Sequence, residues 1–370
     1  MKVLHLLRSG GIGGIEVLVK NIAEYSSWEN IVCFTNLKGV LADEMEAKGI
    51  PILYMGPNDN LFRSKKIALA ILKKCEEEEV DIVNIHHRDI FLQAIYCEMK
   101  KMNKNFKYIS TFHSCYEEKL LYNLIIPKKL MKLIYLKRAI SSSDKIITVS
   151  KAVSRSYNIR LHVSEDAMEV VYNGIEEEIL AKGLDMPMHN SETIELLYIG
   201  RVEKVKGIDL VIKAISLLED KSKIHFTIVG DGGYKNECEK LAIKLKVNKY
   251  IGFVGFDREK EKYFQKTSIF VYPSIWEEAF GISLVEAMAY GKICIATRKG
   301  AFTEIIEDGV NGFLADQCNA DSVKNALLRA ITVIENKDEQ SISENARKSA
   351  NKFSLKETIE HLGVIYESCI

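Results

Sequence analysis

Short apolar runs alternate with longer amphipathic stretches along the whole chain, and this rhythm restricts the fold more than any other feature of the sequence. Val3–Leu7, Ile31–Thr35, Ile82–Ile85, Tyr108–Phe112 and Ile146–Val149 have strand length, with stretches of helical period such as Ile67–Glu79 and Ile90–Lys101 between them. A second series follows in Ile194–Ile199, Ile224–Val229, Tyr250–Phe253, Ile269–Tyr272 and Ile293–Ala296. Runs that are apolar throughout suit strands buried on both faces, so the repetition predicts parallel sheets covered by helices. Two series predict two doubly wound, Rossmann-like α/β domains, in keeping with 370 residues, which exceed what one core usually organises. The division is expected near Val170–Gly174, where an Asn-Gly turn follows an apolar strand and a polar stretch begins.

Charge and cysteine content remove several classes. The 51 Lys and Arg residues balance 51 Asp and Glu, so the chain has no overall bias toward nucleic acid. Its eight cysteines are scattered, with no pair at the two-residue gap of a zinc knuckle or redox centre, and are expected as buried thiols in a reducing cytoplasm. The opening Met1–Arg8 turns polar too quickly for a signal peptide, and no run of about 18 apolar residues predicts a membrane span.

In open parallel sheets ligands bind beyond the carboxyl ends of the strands, so the loops after the strands carry the functional information. Ser9-Gly10-Gly11-Ile12-Gly13-Gly14 follows the first strand and opens a helix, a place where backbone amides can meet an anion. It is not a dinucleotide fingerprint: the last glycine of that pattern would stand where Glu16 is, and Thr35-Asn36 ends the second strand without the ribose-binding acid. A tight structural turn is the other reading. In the second half, Gly200-Arg201-Val202-Glu203-Lys204-Val205-Lys206-Gly207 offers a planar guanidinium and a compact ammonium, a pair suited to a diphosphate. A solvated basic loop is the plain alternative.

The stretch Glu278-Ala279-Phe280-Gly281-Ile282-Ser283-Leu284-Val285-Glu286 places one carboxylate on a loop and another about a turn into a helix. Amides at Ile282, Ser283 and Leu284 would face a ligand at that helix start, and Glu286 could accept from sugar or ribose hydroxyls. Ser283 and Glu286 are equally spaced as a capping box, in which the glutamate only satisfies a backbone donor.

Taken in order, Gly200-Arg201…Lys206-Gly207, Glu278 and Glu286 around Phe280-Gly281, and Gly300…Glu304-Ile305-Ile306…Gly309…Asn311-Gly312-Phe313-Leu314 resemble the retaining glycosyltransferases of family 4. Val171-Tyr172-Asn173-Gly174 resembles that family's interdomain turn, and Val229-Gly230-Asp231-Gly232 its second glycine loop. The resemblance implies the GT-B fold: two Rossmann-like domains facing across a cleft, an acceptor domain at 1–172 and a donor domain at 173–352. A closing helix at about 353–370 would return to the first domain. It implies that Arg201 and Lys206 hold the donor diphosphate with the amides of Ile282–Leu284, that Glu286 binds the ribose, and that Glu278 contacts the transferred sugar. His113 would stand near that sugar, and Gly13 and Gly14 would close over the donor. Gly300-Ala301 departs from the two glycines common in the family, and His86 and His87 compete with His113 as the histidine of interest.

The function so implied is retaining transfer of a hexose-type sugar from a nucleotide-sugar, a UDP-sugar first of all, to a saccharide or lipid-linked acceptor in cell-surface polysaccharide synthesis. No cofactor or metal is expected, since Arg201 and Lys206 would neutralise the leaving group and no aspartate–any–aspartate site is present. A sugar-nucleotide epimerase, or a non-catalytic sugar- or partner-binding protein on the same frame, are the competing readings. Residues 99–138 mix ten Lys and Arg side chains with apolar ones against Glu117 and Glu118 alone, which suits an anionic membrane surface and a peripheral location on the inner face of the cell membrane. A buried helix with a solvated basic edge is the alternative there.

Overall fold

The computed structural model describes residues 1–57, 60–87, 89–103, 105–116, 126–186 and 193–370, with backbone only at 126–129. Contacts divide the chain into two units, Met1–Gly174 with Leu355–Ile370, and Ile175–Ser354. Lys104 and residues 117–125 of the basic stretch, Glu117, Glu118 and Lys119 among them, lie outside the described residues.

The first unit holds a parallel sheet of seven strands, β1 (Lys2–Ser9), β2 (Glu29–Leu37), β3 (Ile52–Tyr54), β4 (Ile82–His87), β5 (Lys107–Phe112), β6 (Lys145–Thr148) and β7 (Glu169–Val170), ordered 3-2-1-4-5-6-7. Every residue of β4 is buried, as are the interior residues of β1, because helices cover both faces of the sheet. Side chains start the helices where the sequence supplies caps. Asp89 Oδ1 accepts from the Phe91 and Leu92 amides at 3.0 and 3.1 Å, and Ser150 Oγ from Val153 at 3.2 Å. The closing helix Leu355–Glu367 belongs to this unit. Its Leu362, Ile365 and Tyr366 pack with Val3, Leu18, Ile22, Ile82 and Ile109, and the Tyr366 hydroxyl accepts from Asn84 Nδ2 at 2.7 Å.

The second unit holds a parallel sheet of six strands, β8 (Ile194–Ile199), β9 (Ile224–Val229), β10 (Ile251–Gly255), β11 (Ile269–Tyr272), β12 (Ile293–Thr297) and β13 (Phe313–Ala315), ordered 10-9-8-11-12-13. One helix contact is close enough to dictate its residue. A Cβ at Gly183 would lie 2.0 Å from the Ala289 carbonyl oxygen, and Arg347 donates to the Gly183 and Met186 carbonyls at 2.9 and 3.0 Å.

In both sheets the strand order reverses once, between β1 and β4 and between β8 and β11. Loops leaving the carboxyl ends of such neighbours go to opposite faces and leave a crevice between them. The loops at those ends are the glycine loop after β1, the histidines at the end of β4, the Arg201–Lys206 loop after β8 and the Glu278 loop after β11. All eight cysteines are free thiols, seven buried and Cys318 half-buried. Among the described residues no helix is long and apolar enough to cross a membrane.

Candidate active site

Backbone contacts fix the loop after β8. A Cβ at Gly230, the first residue past β9, would stand 1.9 Å from the Gly200 carbonyl oxygen, so the two loops touch main chain to main chain. The Val202 amide donates to the Asp231 carbonyl and the Tyr234 amide to the Val202 carbonyl, both at 2.9 Å. The Tyr198 hydroxyl donates to the Arg201 carbonyl at 2.8 Å. Arg201 is therefore held at its backbone while its guanidinium stays exposed, with no hydrogen-bond or ion-pair partner among the described residues.

Lys206 ends a single 3-10 turn, Lys204–Lys206, that runs to Gly207 at φ 68°. A Cβ at Gly207 would meet the Pro273 carbonyl oxygen at 2.1 Å, which brings the loops after β8 and β11 together. Across that approach Lys206 Nζ donates to Glu278 Oε1 at 2.6 Å and to the Tyr272 hydroxyl at 3.2 Å. Ser274 Oγ donates to the same Glu278 oxygen at 2.6 Å. Burial first, and the Glu278 carboxylate second, push the Tyr272 hydroxyl well above the usual phenol range, so it stays protonated. Next door, Glu277 accepts from the Gly300 amide at 2.7 Å and from Lys299 at 3.1 Å. A Cβ at Gly300 would lie 2.2 Å from the Glu278 carbonyl oxygen, while the following Ala301 is wholly buried with its methyl accommodated. The approach thus needs glycine at the first of these two positions only.

The helix Ile282–Ala289 starts at Gly281, whose φ of 108° excludes most residues. Of the three amides expected to face a ligand, that of Leu284 does not: it donates to the Gly281 carbonyl at 2.9 Å as the first turn tightens. The amides of Ile282 and Ser283 have no acceptor among the described residues. The capping box does not form either, because Ser283 lies inside the helix and Gly281 is its cap. Instead both Glu286 oxygens accept from Lys260 Nζ at 2.9 Å, a contact for which the sequence holds no signal. Phe280 is buried and stands edge-on to Phe353 with ring centroids 5.4 Å apart, so its ring is core and only its backbone can serve a donor.

In the first unit Gly13 caps the helix Gly14–Tyr25 in extended backbone, and a Cβ there would meet Glu16 Oε2 at 2.3 Å. Glu16 is buried in the first turn with Ser9 Oγ donating to it at 3.4 Å. His113 follows β5, and its Nε2 lies 2.8 Å from His86 Nδ1, so the two histidines work as one group. His87 turns away and stacks on Phe112 at 4.8 Å between centroids. The structure thus brings Lys206, Glu278 and the loop of Arg201 together in one unit, with Glu286 a turn along the adjoining helix.

Residues 12–179 match the family model described as Glycosyltransferase Family 4, and residues 187–349 the one described as Glycosyl transferases group 1, together most of the chain. An uncharacterised glycosyltransferase of Methanocaldococcus jannaschii is 28% identical over 96% of this chain and 95% of its own length. The lipopolysaccharide 1,2-N-acetylglucosaminetransferase of Salmonella typhimurium is 27% identical over 78% of this chain and 72% of its own. Among solved structures, the Anabaena protein HepE in complex with UDP superposes with a TM-score of 0.82 at 20% identity, covering 100% of both chains. Two such units, matched by two glycosyltransferase family models over most of the sequence, mean that this chain is a glycosyltransferase of the GT-B fold.

Proposed function

We propose that the protein transfers a hexose-type sugar from a UDP-sugar to a saccharide or lipid-linked acceptor with retention of anomeric configuration, in cell-surface polysaccharide synthesis. The observation that carries this reading is the convergence at the β8/β11 switch point: an unpaired guanidinium, a lysine already oriented by a carboxylate, and two amides without acceptors at a helix start. Loss of a nucleoside diphosphate builds negative charge on its terminal phosphate, and fixed donors of this kind stabilise that charge without reorganising. Arg201, Lys206 and the Ile282 and Ser283 amides take the diphosphate; Glu286 takes the ribose and Glu278 a hydroxyl of the transferred sugar. In the first unit, Gly13, Gly14 and His113 are the residues we assign to sugar binding. The acceptor hydroxyl attacks on the face the phosphate leaves and passes its proton to that phosphate, so no protein nucleophile and no metal ion is required. HepE in its UDP complex and the Salmonella N-acetylglucosaminetransferase support the donor class and the saccharide acceptor.

A peripheral membrane location is part of the same proposal. On the helix Ile126–Ser142, Leu130 (57% exposed) and Ile134 (40%) share an open face with Lys137 and Arg138. Apolar side chains bordered by cations at that spacing suit an anionic bilayer surface. Co-sedimentation with vesicles containing anionic lipid, absent with neutral ones, is the expected result there. The function itself is tested by a donor screen. UDP-, GDP- and ADP-sugars are incubated with candidate acceptors, with and without chelator, and released nucleoside diphosphate is measured. Chelator-insensitive release from a UDP-sugar supports the reading, and no release from any donor overturns it.

A further inference from the structure

Three histidines of the first unit stand in single file on neighbouring strands. His5 on β1 places Nδ1 3.0 Å from Nε2 of His86 on β4, and His86 Nδ1 lies 2.8 Å from Nε2 of His113, just past β5. The inner end is anchored at Asn30, whose Oδ1 lies 3.1 Å from His5 Nε2.

Proton positions along this file follow from what its anchor can do. The Trp28 indole nitrogen only donates, and it reaches Asn30 Oδ1 at 2.9 Å. The Ala23 and Trp28 carbonyls only accept, and Asn30 Nδ2 donates to them at 3.4 and 2.9 Å and to Ser26 Oγ at 2.8 Å. Asn30 therefore presents an oxygen to His5, and His5 must carry its proton on Nε2. A neutral His5 then has a lone pair on Nδ1, so His86 must donate from Nε2 and accept at Nδ1. The same step makes His113 donate from Nε2 and leaves a lone pair on its Nδ1. Burial keeps the rings neutral, holding His5 at about 4, His113 at about 3 and His86 well below its ordinary value. His113 Nδ1 is buried and has no partner among the described residues. His113 and Asn173 are among the residues lining a mostly apolar cavity of about 20 Å³, and Asn173 Oδ1 is likewise buried with no donor among the described residues. That space admits about one water or hydroxyl oxygen.

We propose that Asn30, acting through His5 and His86, is a positioning device that locks His113 as its Nε2–H tautomer, so that the Nδ1 lone pair accepts a hydrogen bond from a substrate hydroxyl. The substrate half rests on the sugar-transfer reading above; the tautomer half does not. A lone pair left without a donor selects a neutral hydroxyl and repels a phosphate oxygen, which has no proton to offer at neutral pH. It also bars His113 from acting as a general acid through Nδ1.

The test is ring-¹⁵N histidine NMR on the full chain at pH 7.5, with His113 identified by the signal lost in His113→Asn. His5, His86 and His113 should all show a protonated Nε2 and an unprotonated Nδ1. Asn30→Ala should shift His113 toward a tautomer mixture, and if that variant does not fold, His5→Phe breaks the file one step later with the same effect. A protonated Nδ1 on His113 in the wild type, or an unchanged tautomer in the folded variants, overturns the lock. UDP-glucose, UDP-galactose, UDP-N-acetylglucosamine and GDP-mannose are then added, with UDP and GDP as controls. A sugar nucleotide that raises Tm should move the Nδ1 resonance where its nucleotide alone does not. One that raises Tm and leaves Nδ1 unmoved means that a bound water holds the position, and it overturns the substrate half. Binding by none of the six overturns the sugar-transfer reading and the substrate half with it, while the tautomer result stands by itself.

Discussion

Lys206 Nζ lies 2.6 Å from Glu278 Oε1, an ion pair that joins two loops 72 residues apart, with the side chains only 13% and 11% exposed. The pair sets the position of the ammonium before any donor arrives, and it leaves the second Glu278 oxygen free for a hydroxyl. Removing one partner strands the other charge in a poorly solvated place, which typically costs about 3–5 kcal/mol when a pair is fully buried. Lys206→Ala should therefore lower both stability and turnover, the latter by about 10²–10³, as loss of one preorganised donor does elsewhere. Glu278→Gln keeps the shape and should lose activity with a much smaller loss of stability. Denaturant titration beside nucleoside diphosphate release separates the two, and activity within tenfold of wild type in both variants would contradict the assignment.

Glu286 is occupied by Lys260 in a two-oxygen contact, yet Lys260 is 39% exposed, so the pair itself adds only about 0–1 kcal/mol of stability. A ribose must displace that ammonium to reach the carboxylate. Glu286→Ala should weaken UDP binding about tenfold, the equivalent of about 1.4 kcal/mol. Lys260→Met should tighten it a few-fold, because the exchange is no longer needed. Calorimetric titration with UDP checks both, and tenfold weaker binding in Lys260→Met would place the ammonium on the nucleotide instead.

Gly281→Ala introduces a Cβ that would meet Phe302 Cε1 at 2.7 Å, on a backbone with φ 108°. Strain of that kind costs about 1–3 kcal/mol. Either the helix start shifts or Phe302 does, so both the denaturation midpoint and donor affinity should fall together. A variant with unchanged midpoint would show that this glycine is not required by its conformation.

Stability should fall with acid well before the carboxylates titrate. Burial lowers His5 to about 4 and His87 and His113 to about 3, below the ordinary 6.5 that an unfolded chain shows. Below pH 6.5 the unfolded state binds more protons than the folded one, so each such histidine removes up to about 1.4 kcal/mol per pH unit until its folded value is reached. Stability is full above pH 6.5 and is lost as pH falls toward 4. Urea titrations at pH 7.5 and 5.5 should differ by several kcal/mol, and His5→Gln should flatten the dependence. Equal stability at the two pH values would mean that these rings are not buried neutral.

Much of this architecture is legible from apolar runs because the central strands are buried on both faces. The strands the runs do not reveal are short edge strands: Ile52–Tyr54 at the rim of one sheet and Phe313–Ala315 at the rim of the other. Arg201, Lys206, Glu278 and Glu286 stand out through order and spacing, since each follows a strand or opens a helix. What spacing does not carry is which charge meets which. Lys260 sits in a polar turn with no pattern of its own and reaches Glu286 only through the fold. The Leu284 amide illustrates the same limit, because a first turn that tightens to i+3 bonding consumes a donor that an ideal helix leaves free. His5 and His86 read as ordinary members of apolar strands until the order of β1, β4 and β5 lines them up with His113.

The most direct test is a crystal structure with the nucleoside diphosphate released in the donor screen. The phosphates should lie within hydrogen-bond distance of Arg201, Lys206 and the Ile282 and Ser283 amides, with the ribose hydroxyls on Glu286. Phosphates bound elsewhere in the second unit, with Arg201 still free in solvent, would contradict the account.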